Sequence, residues 1–208
     1  MVRDPEPRLD HLALALAAEF RPVDAEAALA ALDALGRTLT LERARGPVEE
    51  ADACRRLLGE HEGFIGNEED YDHPDNSMLD LVLARRTGLP ILLSIVYAEV
   101  GRRAGYRLAG VGLPGHFVVG HFGVDPPLLL DAFRGGIAFD ASDLNLSLVR
   151  PWTAHETGVR MLNNLVGAYE RRGDVGRAIR AAELRLRFPL DRSLRDELEL
   201  DLRRVRRG

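Results

Sequence analysis

The sequence predicts an α+β fold on three observations. Apolar residues recur at spacings of three and four before Gly59 and again after Trp152, which marks helices towards both ends of the chain. Between Arg107 and Phe133 the pattern changes to short β-rich runs separated by Pro114-Gly115 and Asp125-Pro126-Pro127, which reads as an antiparallel meander. A nearly all-apolar run, Ile91 to Val100, joins the two regimes and predicts a central buried helix.

Leu9 to Phe20 reads as a first helix and Asp24 to Leu41 as a second, with Asp24 as N-cap and Leu29, Leu32, Leu35 and Leu39 as its apolar stripe. A third opens at Pro47, with Glu49 and Glu50 in its first turn and Arg55 and Arg56 in its last, the charge order that suits the helix dipole. Its apolar face holds Ala51, Cys54, Leu57 and Leu58, which makes Cys54 a buried small hydrophobe. Gly59 to Asn76 reads as a loop. His61, Glu68, Glu69, Asp70, Asp72, His73 and Asp75 within it are of metal-ligating types, but their spacing matches no calcium loop, and a solvated acidic loop accounts for them. Asn76 or Ser77 is expected to cap a short helix through Arg86 that Thr87-Gly88 ends.

The central helix opens near Pro90 and stops at Gly105. Strands follow over Arg107 to Leu113, Phe117 to Phe122 and Leu128 to Phe133, and Arg134-Gly135-Gly136 reads as a hairpin turn. Beyond Trp152, Met161, Leu162, Leu165 and Tyr169 lie on one helix and Ala178, Ile179, Ala182 and Leu186 on another, joined at Gly173-Asp174. One such pair cannot bury its own apolar face, so it is expected to pack on the rest. The expected organisation is an N-terminal helical region over 1–60 packed on a core over 61–150, followed by a helix pair with a basic tail over 151–208.

All 28 basic residues are Arg, so no lysine Schiff base, P-loop lysine or lysine general base is available. Cys54 is the single cysteine, which excludes an internal disulfide and any multi-cysteine metal centre and fits a reducing cytoplasm. No apolar run reaches the roughly 18 residues of a membrane span. The start of the chain, with Asp4, Glu6 and two prolines before Leu9, lacks the form of a secretory signal, so a cytoplasmic protein is expected. Net charge is −5, yet from Arg171 onward twelve Arg face seven acids. Arg near helix C-termini commonly complements the dipole, and nucleic acid is not the expected partner. No cofactor and no metal are expected.

Three segments stand out: Gly63-Phe64-Ile65-Gly66-Asn67 with Asn76-Ser77; Gly88 through Tyr97; and Pro114-Gly115-His116-Phe117 with Leu130-Asp131-Ala132-Phe133. In this order, ahead of Met161-Leu162-Asn163-Asn164-Leu165, they closely resemble the bacterial SirB1-like family over roughly Phe64 to Phe188. That resemblance implies a transglutaminase-like (papain-like) core: a buried helix carrying a nucleophile at its N-terminus, packed on an antiparallel sheet that carries a His and an Asp. It also implies a C-terminal tetratricopeptide-type segment, with whose pattern Leu165, Tyr169, Gly173 and Ala178 fall in step. In catalytic relatives of this kind a Gly-x-Cys opens the helix. Laying Gly88 on that glycine and Gly105 on the closing one puts Pro90 at the nucleophile's place, while His116 and Asp131 match the histidine and the acid.

A thiol at a helix N-terminus is activated by the dipole and a neighbouring imidazole, and proline has no group that can attack. Ser94 lies four residues on, about 40° around the helix and roughly 6 Å inward. One reading is a Ser94–His116–Asp131 relay, with the N–H groups near Gly88 to Ile91 as an oxyanion hole. The other has Ser94 bonded to the Pro90 carbonyl or to a strand group and His116 tied to Asp131 as a structural bond between strands. His121 has opposite parity to His116, so the two do not share a metal. Asn163 or Asn164 is expected to cap or bridge to the core.

The leading functional expectation is a transglutaminase-like protein without the cysteine nucleophile, a binding or regulatory module with a protein or peptide partner and no membrane. The second is a hydrolase or acyl transferase on peptide or amide bonds, using Ser94 or a water with His116 and Asp131.

Overall fold

The structure, a computed structural model, describes residues 6–142, 144–145 and 149–207. The reading of charge at Asp4 lies outside them. The apolar run organises the rest. Helix α5 (Pro90–Ala104) has its proline in the first turn, and Gly105 closes it in the left-handed conformation at φ 84°. Every residue from Pro90 to Gly101 is buried, so no polar stripe is needed.

Helices α1 (Leu9–Ala18) and α2 (Ala25–Leu41) pack on α5. The Asp24 side chain accepts from the Ala27 N–H as the expected cap, and Leu32, Leu35 and Leu39 are buried with Leu29 at the edge. The helix opened by α3 (Pro47–Cys54) does not stop at Leu58. It runs on as a π-helical segment, Arg55–His61, where a loop from Gly59 was expected. Gly59 is a contact point rather than a stop, because a Cβ there would overlap the Gly135 carbonyl.

Strand β1 (Ile65–Gly66) pairs in parallel with β2 (Thr87–Gly88), and between them lies α4 (Leu79–Arg85). Thr87-Gly88 is therefore strand. The residue that ends α4 is Arg86, left-handed at φ 61°. Neither Asn76 nor Ser77 caps α4. Met78 holds that position without a side-chain bond, after a 3₁₀ turn at Pro74–Ser77.

The meander forms a four-stranded antiparallel sheet in the order β3 (Leu108–Leu113), β4 (His116–His121), β5 (Leu128–Asp131), β6 (Ile137–Ala138). Its register sets Leu113 opposite His116, Val119 opposite Leu130 and Asp131 opposite Ile137. Strand β5 is shorter than expected because the Asp131 carboxylate accepts from the Phe133 N–H and turns Ala132–Arg134 into a 3₁₀ turn. Gly135 and Gly136, at φ 69° and 78°, then reverse the chain as a hairpin turn should. Helix α5 lies on β3 and β4, so close at Gly101 that a Cβ would sit 2.5 Å from Leu108.

Helices α6 (Ala154–Arg171) and α7 (Val175–Arg185) form the expected hairpin, and α6 packs on α1 and α5. The expected basic tail is instead a third helix, α8 (Arg192–Val205), with Leu198, Leu202 and Val205 buried. Two arginines at its end are ion-paired, Arg204 with Glu170 at 2.8 Å and Arg206, just past the helix, with Glu183 at 2.7 Å. Among the described residues no helix is long and apolar enough to cross a membrane.

Candidate functional site

The sheet brings His116 and Asp131 together. His116 opens β4 after the Pro114-Gly115 turn, Asp131 closes β5, and His116 Nε2 lies 3.1 Å from Asp131 Oδ2. The other carboxylate oxygen, Oδ1, accepts from the Phe133 N–H at 3.0 Å, which fixes the orientation of the acid. Arg134 Nε stands 3.9 Å from the same Oδ2. The imidazole stacks on Phe139, with ring centres 5.8 Å apart. Asp131 is buried and His116 half-buried at the mouth of an open cavity of about 570 Å³. Glu68, Arg134, Ile137 and Phe139 also line it, and α5 contributes nothing to the lining.

Ser94 stands apart from this pair. It is fully buried in α5, and its hydroxyl has no hydrogen-bond partner among the described residues. The structure therefore brings it into bonding contact neither with His116 nor with the Pro90 carbonyl, the back-bond expected of a mid-helix serine. The start of α5 is also closed over. Leu89, just before buried Pro90, faces a space of only about 30 Å³, bounded by Tyr71, Asp72 and His73 and by Asn164, Ala168 and Arg171 of α6. Ion pairs hold that cover in place: Arg171 to Asp72 at 2.5 Å and Arg172 to Asp70 at 2.6 Å. The volume suits about one water molecule and no substrate.

The flagged segments prove to be the parts that build this arrangement. Phe64 is buried, Ile65 and Gly66 pair with the residues just ahead of α5, and a Cβ on Gly66 would overlap the Phe133 ring. Phe133 in turn meets Tyr71 edge-on at 5.8 Å. The Asn67 amide donates to Asn76 Oδ1 at 3.1 Å, while the buried Asn76 amide donates to the Asp70 and Tyr71 carbonyls at 2.7 and 3.1 Å. Asn76 thus shapes the acidic loop, and Glu68 is carried to the His116 cavity. Sequence reasoning grouped Glu68 with metal-type acids. No local signal places it beside His116, because the approach of Gly66 to Phe133, remote in the sequence, is made only by the folded chain.

Other singled-out residues are structural. Cys54 is buried, and burial, reinforced by Glu50, pushes its thiol up to about 12. His121 lies buried on β4 with Nε2 2.7 Å from Glu50 Oε2, and its Nδ1 accepts from the Gly123 N–H, which assigns the ring proton to Nε2. It ties β4 to α3. Asn163 accepts from Arg185 at 2.9 Å, bridging α6 to α7 rather than to the core. Among the described residues no three His, Cys, Asp or Glu converge as a metal site, since the loop's Asp70, Asp72 and Asp75 are paired with Arg172, Arg171 and Arg85.

A buried helix lying on an antiparallel sheet, with a His–Asp pair at the ends of adjacent strands, defines a papain-like arrangement. The chain belongs to the transglutaminase-like superfamily, whose family model matches residues 9–173. It is similar to a UPF0162 protein of Xylella fastidiosa strain 9a5c, 36% identical over 149 residues that make up 63% of this chain and 53% of that protein. It is also similar to a UPF0162 protein of Pseudomonas aeruginosa, 36% identical over 116 residues, or 54% and 43% of the two chains. F-box only protein 21 of Mus musculus is 30% identical over 138 residues, 59% of this chain and 22% of that one. The chain thus spans about half the length, or less, of these curated relatives. No solved structure matches it.

Proposed function

We propose that this chain is a SirB1-like protein that has lost covalent catalysis and serves as a binding or regulatory module for a protein or peptide partner. The observation that carries this reading is the start of α5, where Pro90 is read at the nucleophile's place and is buried, next to a Leu89 that the acidic loop and α6 cover. The one thiol lies elsewhere, on α3 and unactivated. What stays accessible is the cavity at His116 and Asp131, flanked by Glu68 and Arg134, a set of polar groups suited to holding a ligand. Helices α6 and α7 are read as a tetratricopeptide-type hairpin within a C-terminal unit over 151–208, beside the helical region 1–60 and the core 61–150. A cytoplasmic setting suits a single reduced thiol. Nucleic acid is disfavoured because many C-terminal arginines, Arg171, Arg172, Arg185, Arg204 and Arg206 among them, are engaged with acids of the same chain.

A second reading, a hydrolase or acyl transferase on peptide or amide bonds, is favoured by one observation. The His116–Asp131 pair is oriented and open, as activation of a water would require. Treating the folded protein with a serine-directed fluorophosphonate, and separately following ammonia release from glutamine peptides, distinguishes the two. The module reading expects no adduct at Ser94 and no release. A Ser94 adduct, or release abolished by His116→Ala, establishes the enzyme instead.

A further inference from the structure

The second large cavity, about 580 Å³, lies away from His116, between the start of α6 and the Phe188-Pro189-Leu190 link into α8. Its apolar surface comes from Trp152, Phe188, Leu190 and Leu194. Gly158 makes room for it: a Cβ there would lie 2.7 Å from the Phe188 ring, so a glycine inside α6, at a cost of about 1 kcal/mol in helix propensity, lets that ring settle onto the helix. His155 meets Phe188 edge-on at 5.9 Å.

The charges around the groove are unequally committed. Glu6 accepts from the Ala154 N–H, Glu156 is bound by Arg150 and by the Thr153 N–H, and Asp191 caps α8 by accepting from the Leu194 N–H. Arg160, which also lines the groove, has no hydrogen-bond or ion-pair partner among the described residues. The acids are thus engaged in ending and starting helices, and the uncommitted charge is a cation beside an aromatic and aliphatic floor.

We propose that this groove docks an acidic peptide segment of a partner protein, with an apolar side chain of the peptide against Trp152 and Phe188 and a carboxylate on Arg160. Arg provides a two-pronged donor for a carboxylate, and aromatic residues with Arg are the usual anchors of such contacts. The groove shares no lining residue with the His116 cavity, so failure to bind here and failure of the His116 reading are told apart by separate assays.

Trp152 is the only tryptophan in the chain, so its emission reports occupancy directly. The probes are short tryptophan-free peptides rich in Asp and Glu with a Leu or Phe anchor, together with counterparts in which Lys replaces the acids. Anisotropy of the same peptides carrying a fluorescein label gives a second readout if the emission is silent. The expected result is saturable binding of acidic peptides, about ten-fold or more tighter than their Lys counterparts, with Arg160→Glu reversing the order. That variant removes no native bond, so its melting curve should match the parent. The proposal is overturned if no acidic peptide binds by either readout, or if Arg160→Glu binds them as well as the parent. Sedimentation showing self-association that Arg160→Glu abolishes would assign the groove to a second copy and also overturn it.

Discussion

Burial decides the chemistry of Cys54 and Ser94 in different ways. At Cys54 the apolar surroundings disfavour the thiolate and raise its pKa to about 12, so at pH 8 the folded protein should not react with a thiol reagent such as DTNB, whereas addition of urea should release one equivalent. Rapid labelling without denaturant would show an accessible, activated thiol. At Ser94 the hydroxyl is buried without a partner, so Ser94→Ala removes an unsatisfied group and nothing else. Its unfolding free energy in urea should match the parent or rise by up to about 1 kcal/mol, and a fall of that size would show a bond to the hydroxyl. The sequence reading named Cys54 as inert and singled out His116 and Asp131 because residue identity and motif order carry those facts. It gave Ser94 a choice of partners and the structure provides none, because hydroxyl pairing depends on the neighbours of a fully packed helix.

Elements were legible where the signal was local. Asp24 with the leucines of α2, the apolar run of α5 between Pro90 and Gly105, and the turns of the meander all folded as read. The π-helical extension of α3 was not legible, since Gly59 resembles a stop until Gly135 is seen against it. Gly59→Ala should therefore cost about 1–3 kcal/mol in urea unfolding, the range for an overpacked contact. Helix α8 did leave a trace: Leu194, Leu198, Leu202 and Val205 recur at helical spacing beneath the arginines that drew attention first. Helix α6 begins with a reciprocal cap between Thr153 and Glu156. The Arg150 guanidinium, with help from the Thr153 N–H and hydroxyl, holds Glu156 down at about 2, below its usual 4.5. Its stabilising share is complete above pH 4.5 and is lost as pH falls through about 2. Thr153→Ala should lower stability at pH 7 by about 1 kcal/mol. Glu156→Gln should shrink the parent's loss of stability between pH 5 and pH 2.5, and an unchanged loss would show that this cap carries no acid sensitivity.

Across the whole molecule, α1, α2 and α5 are joined by one arginine. Arg103 donates to Asp10 at 2.7 Å, to Glu99 at 2.8 Å and to Asp33 at 2.6 Å, and Asp10 and Glu99 are buried. Burial alone would raise Asp10, but bonds from His11, Arg103 and Arg8 hold it below the usual carboxylate range, whereas burial prevails at Glu99 and raises it. Arg103→Met takes one donor from each buried acid while leaving Arg8 and His11 on Asp10 and Arg102 on Glu99, and should cost about 1.5–3 kcal/mol in urea unfolding, with Arg103→Lys recovering only part because an ammonium lacks the planar fork. A loss below about 1 kcal/mol would show that water or other arginines carry the pair. The same long-range logic closes the head of α5, where Arg171 meets Asp72 from 99 positions away. By itself the sequence determined the fold class, the order of the main elements, the absence of lysine chemistry, and a proline in the first turn of the central helix, since each is a property of residue identity or local period. Only the tertiary structure decided that His116 meets Asp131 at an open cavity while Pro90 lies covered, because burial and distance between remote segments are set by how the whole core packs.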